Sequence, residues 1–119
     1  MLRKLSSGLI GLLLLAAPLA HAFEPTTQKV TDNVYAIIGE LDQRSADNQG
    51  LNNTTGFIIT ADGVVLVGSG ATAGSAKMLE AAVKSVTDKP IKQVLNIGVQ
   101  DHHWMGNSHF LAQKIPVSA

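Results

Sequence analysis

Phe57-Ile58-Ile59-Thr60-Ala61-Asp62-Gly63-Val64-Val65-Leu66-Val67 is two apolar runs joined through Asp-Gly. Asp-Gly between such runs is a strong hairpin signal, because both residues tolerate the backbone angles of a tight turn. Further along, Gly68-Ser69-Gly70 breaks the second run, and Thr72 or Ser75 is placed to cap a helix. Leu79, Ala82, Val83 and Val86 then follow the i, i+3, i+4, i+7 spacing, with Lys77, Glu80 and Lys84 on other faces. That spacing predicts an amphipathic helix of about three turns. Thr87-Asp88-Lys89-Pro90 ends it, and Ile91 to Ile97 reads as a strand centred on Val94 and Leu95. Strand, helix and strand in this order predict a right-handed βαβ unit with parallel strands. The fold class is α/β, an antiparallel hairpin leading into a βαβ unit.

On the N-terminal side, Val34-Tyr35-Ala36-Ile37-Ile38 is β-branched and aromatic and ends at Gly39, so it reads as a strand. Glu40 to Thr55 is polar and aperiodic. A loop that long is expected to be a functional lid or a disordered segment. The beginning of the chain reads differently. Met1-Leu2-Arg3-Lys4 is basic, Gly8 to Ala20 is apolar, and Ala20-His21-Ala22 puts small residues at the two positions a signal peptidase reads. A bilayer span needs roughly 20 apolar residues, so the run is too short for an anchor. Residues 1–22 are expected to be a cleaved signal peptide that sends the domain, 23–119, to the periplasm or beyond, with no membrane anchor left.

Composition limits the rest. The 119 residues carry 9 Lys+Arg against 9 Asp+Glu, and no Cys. Disulfides, thiolate metal sites and a cysteine nucleophile are excluded, and the absence of a basic block argues against nucleic-acid binding. A 45% hydrophobic share with 15% charged residues argues against disorder. A small exported domain without disulfides needs another source of stability: a metal, a partner or more chain.

The chemistry-bearing stretch follows the last predicted strand: Asn96-Ile97-Gly98-Val99-Gln100-Asp101-His102-His103-Trp104-Met105-Gly106-Asn107. Parallel α/β units bind ligands at the carboxyl ends of strands, and imidazole with carboxylate suits zinc and related divalent metals. His102 and His103 are the candidate metal ligands. Asp101 is a candidate to orient a ligating imidazole from behind, and Gln100 to position water or substrate. Trp104 is expected to pack under the motif with its N–H bonded to backbone. Gly106 is expected to supply a special backbone angle and Asn107 a helix cap. His109, beside Phe110 and Leu111, is expected to be structural.

These segments, in order, resemble the N-terminal part of the metallo-β-lactamase superfamily. Val30-Thr31-Asp32-Asn33-Val34-Tyr35 resembles its opening strand, Asn53 to Val67 its paired strands, and Ser69-Gly70-Ala71-Thr72 the turn that follows. The family motif usually reads Asn-Thr-His-x-His-x-Asp-His-x-x-Gly-Asn, and Asn96, His103, Gly106 and Asn107 fall on matching positions. Gly98 and Gln100 stand where the family has its first two histidines, His102 where it has the metal-binding Asp, and Gly68 where an acid usually follows the second strand. The segment is more similar to divergent periplasmic members whose motif reads Gly-x-Gln-Asp-His-x-Trp-x-Gly-Asn.

The resemblance implies part of an αββα sandwich and a metal-dependent hydrolase acting on a small molecule. Zinc would be its cofactor, one or two ions in the family, lowering the pKa of bound water to about 7. The altered motif implies that metal binding here is weak and that the chain alone is inactive. The alternative is a non-catalytic metal- or ligand-binding half-domain. Because ligands in the family come from both halves of the sandwich, the chain is expected to need a partner or a missing half, and to self-associate through an uncovered sheet face.

Overall fold

The computed structural model describes residues 22–119. The leader reading falls on residues 1–21 and lies outside the described residues. Among the described residues no helix is long and apolar enough to cross a membrane.

A six-stranded sheet runs in chain order: β1 (Thr26–Lys29), β2 (Val34–Ile38), β3 (Thr54–Ile59), β4 (Val64–Val67), β5 (Ile91–Leu95) and β6 (Val117–Ser118). The first four strands are antiparallel, and β5 and β6 add in parallel. Three helices accompany it: α1 (Ala73–Lys84), α2 (Asp101–Trp104) and α3 (Asn107–Leu111). The Asp62-Gly63 hairpin forms as read, pairing Ile59 with Val64. Gly63 takes φ 148°, and a Cβ on it would meet the Pro90 carbonyl at 2.6 Å. The crossover forms as well, with α1 carrying the chain from β4 to a parallel β5.

Helix α1 starts where its capping residues predict. Thr72 Oγ1 accepts from the Ser75 N–H at 3.0 Å, and Ser75 Oγ accepts from the Thr72 N–H at 2.9 Å. This reciprocal box satisfies two helix-end donors. One expectation is corrected. Val30–Asn33 does not open a strand but turns the chain between β1 and β2, with the Val30 N–H donating to the Val34 carbonyl at 2.9 Å. The preceding edge strand, Thr-Thr-Gln-Lys, is short and mostly exposed, so it has no apolar alternation to read.

One sheet face packs on the helices. Ile37, Phe57, Val64, Leu66 and Val94 meet Ala76, Leu79, Ala82 and Val83 of α1 and Phe110 of α3 in a single buried core. Tyr35 stacks on Phe57 with ring centroids 5.1 Å apart. The alternate positions form the second face: Val34, Ala36, Ile38, Ile58, Val65, Val67 and Leu95. They are aligned across the strands by the pairs Val34↔Ile58, Ile58↔Val65 and Val67↔Leu95. None of them belongs to the buried core, and Ile58 is 39% exposed.

The Gly39–Asn53 connection is a folded loop rather than a disordered one. It continues the β2–β3 ladder, with Gly39 N–H donating to the Asn53 carbonyl and Glu40 N–H to that of Leu51. Fully buried Asn48 is its hub. Asn48 Oδ1 accepts from the Ser45 and Gly50 N–H groups, both at 2.9 Å, and its amide donates to the Glu40 carboxylate (2.7 Å) and the Gln43 carbonyl (2.8 Å). Leu51 is sunk into the core. The loop is tied to the start of α1 by Thr72 Oγ1 donating to the Gln49 carbonyl at 2.8 Å.

Candidate metal centre

The site lies at the carboxyl ends of β4 and β5. Gly68 and Gly70 take φ of 83° and 88°, a region that favours glycine. The resulting turn presents backbone groups to the motif. Ser69 N–H donates to the His103 carbonyl at 3.0 Å, and the Gly70 carbonyl accepts from the Gly106 N–H at 2.9 Å. An acid at position 68 would have to adopt this left-handed geometry, with its Cβ 3.1 Å from Thr55 Oγ1. Asn96, at the end of β5, donates from Nδ2 to Asn107 Oδ1 at 3.0 Å and so staples the strand to α3.

Asp101, His102 and His103 sit together on α2, a single helical turn. The Asp101 carboxylate is gripped by Arg44 from the loop. Nη1 donates to Oδ2 at 2.6 Å and Nη2 to Oδ1 at 2.5 Å. Chiefly through that hydrogen bond, Arg44 holds the Asp101 carboxyl down at about 2. Oδ1 also accepts from the His102 backbone N–H at 2.8 Å, but it lies 3.6 Å from His102 Nδ1, beyond a hydrogen bond. Asp101 therefore orients His102 through the main chain, not through its ring. The ring nitrogen Nδ1 faces Arg44 Nη2 at 3.0 Å. Burial, then the nearby His103 ring and Arg44 guanidinium, push the His102 pKa down. A guanidinium only donates, so the Nδ1 that faces it at this distance accepts, and the ring's proton is on Nε2.

His103 lies beside His102, ring centroids 4.4 Å apart and planes tilted by 58°. It rests on Gly98: a Cβ there would come within 2.6 Å of His103 Cδ2 and 3.0 Å of Nε2. The ring thus fills the space that a side chain at 98 would enter. Gln100 stands at the N-cap position of α2, exposed, with its carbonyl accepting from the His103 N–H at 3.0 Å.

Three readings of neighbouring residues change. Trp104 does donate from Nε1 to a backbone carbonyl, that of Val99 at 3.1 Å, but its ring is 45% exposed and does not pack under the motif. Gly106 takes an ordinary φ of −79°; glycine is needed there because a Cβ would run into the Ser69 carbonyl. Asn107 is not a cap but the first residue of α3 and the acceptor for Asn96. Arg44 itself carried no signal in the sequence, since it lies in an aperiodic loop 57 residues from Asp101.

His109 faces away from this group. Its Nε2 bonds Glu80 Oε2 at 2.7 Å, and its ring meets Phe110 edge-on. Burial raises the Glu80 pKa, but hydrogen bonds from His109 and Lys84 outweigh it, and the carboxyl sits below its ordinary value. This contact links α1 to α3. His109→Ala is expected to cost about 1 kcal/mol at pH 7, the usual worth of one such bond. A depressed carboxylate pKa contributes stability above its unfolded value and loses it as the pH falls through the folded one. The gap between wild type and His109→Ala should therefore close below about pH 4. Urea melts at pH 7 and pH 3 check this, and an equal gap at both would refute it.

No protein-family model and no curated protein matches the sequence. Solved structures do match. A metallo-β-lactamase from Pontibacter korlensis superposes with a TM-score of 0.62 at 16% identity, over 81% of this chain and 44% of that one. The metallo-β-lactamase FIM-1 from Pseudomonas aeruginosa, in its mono-zinc form, gives 0.64 at 15% identity, over 82% and 42%. One from Erythrobacter litoralis gives 0.63 at 14% identity, over 79% and 40%. The chain spans less than half the length of these structures.

A zinc ion is what such a fold implies, so the donor set must be tested against it. Both Asp101 oxygens and His102 Nδ1 are committed to Arg44. Gly98 offers no side chain, and its space is taken by His103. Among the described residues no group of three or more His, Cys, Asp or Glu is arranged to hold a metal. A catalytic zinc takes three protein ligands and an open position, and these residues as arranged do not fit one. What the strand order, the crossover and the superpositions establish is the architecture: the described chain shares, in part, the fold of these solved metallo-β-lactamases.

Proposed function

We propose that this chain is an exported part of a metal-dependent hydrolase site on the metallo-β-lactamase fold, and that alone it turns over no substrate. The observation that carries the reading is the placement of Asp101, His102 and His103 on one short helix at the carboxyl end of β5, where α/β folds hold their ligands. In this reading His102 and His103 are the metal-directed groups, Asp101 positions His102 through its backbone, and exposed Gln100 is placed to meet water or substrate. Any further ligands come from outside residues 22–119. The second reading, a non-catalytic metal- or ligand-binding half-domain, is favoured by one observation, the Arg44 fork that occupies the acid.

Zinc titration of wild type, His102→Ala, His103→Ala and His109→Ala, with a chromogenic β-lactam and a thioester assayed in parallel, tests the reading. Wild type is expected to bind zinc weakly, far below the roughly 10–16 kcal/mol of a four-ligand structural site. Either of the first two substitutions should abolish measurable binding, and His109→Ala should leave it nearly unchanged. Tight stoichiometric zinc with turnover would show that these residues suffice without further groups. Affinity indifferent to both His102→Ala and His103→Ala would remove the metal role from them.

A further inference from the structure

Three contacts converge on one guanidinium. Arg44 donates to both oxygens of Asp101, and Nη2 also faces His102 Nδ1 at 3.0 Å. A carboxylate and a ring lone pair turned toward one positive charge is the environment that a bound divalent cation also requires. We propose that Arg44 is the resident cation of the Asp101–His102 pair, and that its guanidinium and a divalent metal exclude one another there. The inference rests on the reading of His102 as a metal-directed imidazole and accounts for why the donor set does not fit zinc as folded.

Geometry makes the exclusion specific. While Arg44 is in place, His102 Nδ1 has its lone pair engaged and Nε2 bears the proton, so neither nitrogen is free to ligate. Asp101 has both oxygens engaged. A metal arriving beside the guanidinium also meets its positive charge. Nor is Arg44 a loose surface group. It is delivered by the loop that Asn48 and Leu51 anchor, and the next residue, Ser45, donates its N–H to Asn48 Oδ1. Metal occupancy and closure of this loop over α2 are therefore coupled: one is gained as the other is lost.

Zinc titration of the purified protein and its Arg44→Met variant tests this, with Arg44→Lys and Arg44→Met/His102→Ala alongside. Arg44→Met should bind zinc about five- to tenfold more tightly than wild type, the size expected for removing a competing, half-exposed ion pair. Lysine keeps the charge but cannot form the fork, so Arg44→Lys should fall between the two and still reports if Arg44→Met does not fold. The gain should vanish in the double variant. Hydrogen exchange of wild type should be faster across residues 40–47 with zinc than without it. Equal zinc affinity in wild type and both single Arg44 variants, absence of binding in all of them, or a gain that survives His102→Ala overturns the proposal. Failure of the hydrolase-site reading looks different: in the wild-type background, zinc affinity would be indifferent to His102→Ala and His103→Ala.

Discussion

Gly106→Ala is expected to abolish cooperative folding. The added methyl would run into the carbonyl of Ser69, a fully buried residue, and would lie 3.1 Å from the Ala76 Cβ on α1. Neither neighbour is the loose end of a side chain. The Ser69 backbone is fixed on one side by its own N–H bond to the His103 carbonyl, and Gly106 is fixed on the other by its bond to the Gly70 carbonyl. Relief would require α2 and α3 to move off the turn, which withdraws Phe110 from the core. Overpacking costs about 1–3 kcal/mol where side chains can yield, and more where they cannot. Small domains sit near the lower end of the about 5–15 kcal/mol range of native stabilities. Gly74→Ala is the control. The nearest atoms its Cβ would meet belong to the Gln49 side chain, from Cγ to the amide, which has to swing aside, and alanine is about 1 kcal/mol better than glycine inside a helix. Urea melts followed by far-ultraviolet circular dichroism compare the two. A Gly106→Ala loss below about 1 kcal/mol would contradict the close approach, since clash-free surface changes stay within about half that.

The polypeptide from Phe23 onward is expected to self-associate in solution. Its second sheet face carries Val34, Ile38, Ile58, Val65, Val67 and Leu95, none of them in the buried core. Contiguous apolar surface of this kind, with no charge interrupting the Ile58–Val65 centre, drives association. The face and not the β1 edge is responsible: edge strand β1 is Thr-Thr-Gln-Lys, polar and capped by a lysine, which blunts strand addition. Ile58 and Val65 are directly opposed across β3 and β4. Replacing both with lysine puts two like charges in the centre of the patch and should shift the population toward monomer. Sizing chromatography with light scattering reads the outcome. A sharp monomer peak from the unsubstituted chain, with cooperative thermal unfolding, would sink the expectation.

Much of the architecture was legible in the residues because its signals are short-range. Asp62-Gly63 between two apolar runs, Thr72 three residues ahead of Ser75, and the spacing of Leu79, Ala82 and Val83 each act within a turn or two of backbone. Those signals were enough for the hairpin, the capped helix and the parallel crossover, and so for the end of β5 as the place where Asp101, His102 and His103 gather. What escaped depends on groups far apart in the chain. Strand β1 exists because β2 offers it a ladder, not because Thr26–Lys29 has a pattern of its own. Gly106 is glycine because of the carbonyl of Ser69, and Gly98 leaves room for the ring of His103. The cation that faces Asp101 comes from a polar loop held shut by one buried asparagine, Asn48. Periodicity and turn chemistry report on neighbours along the chain; close approach and charge pairing report on neighbours in space, and those exist only once the sheet has brought them together.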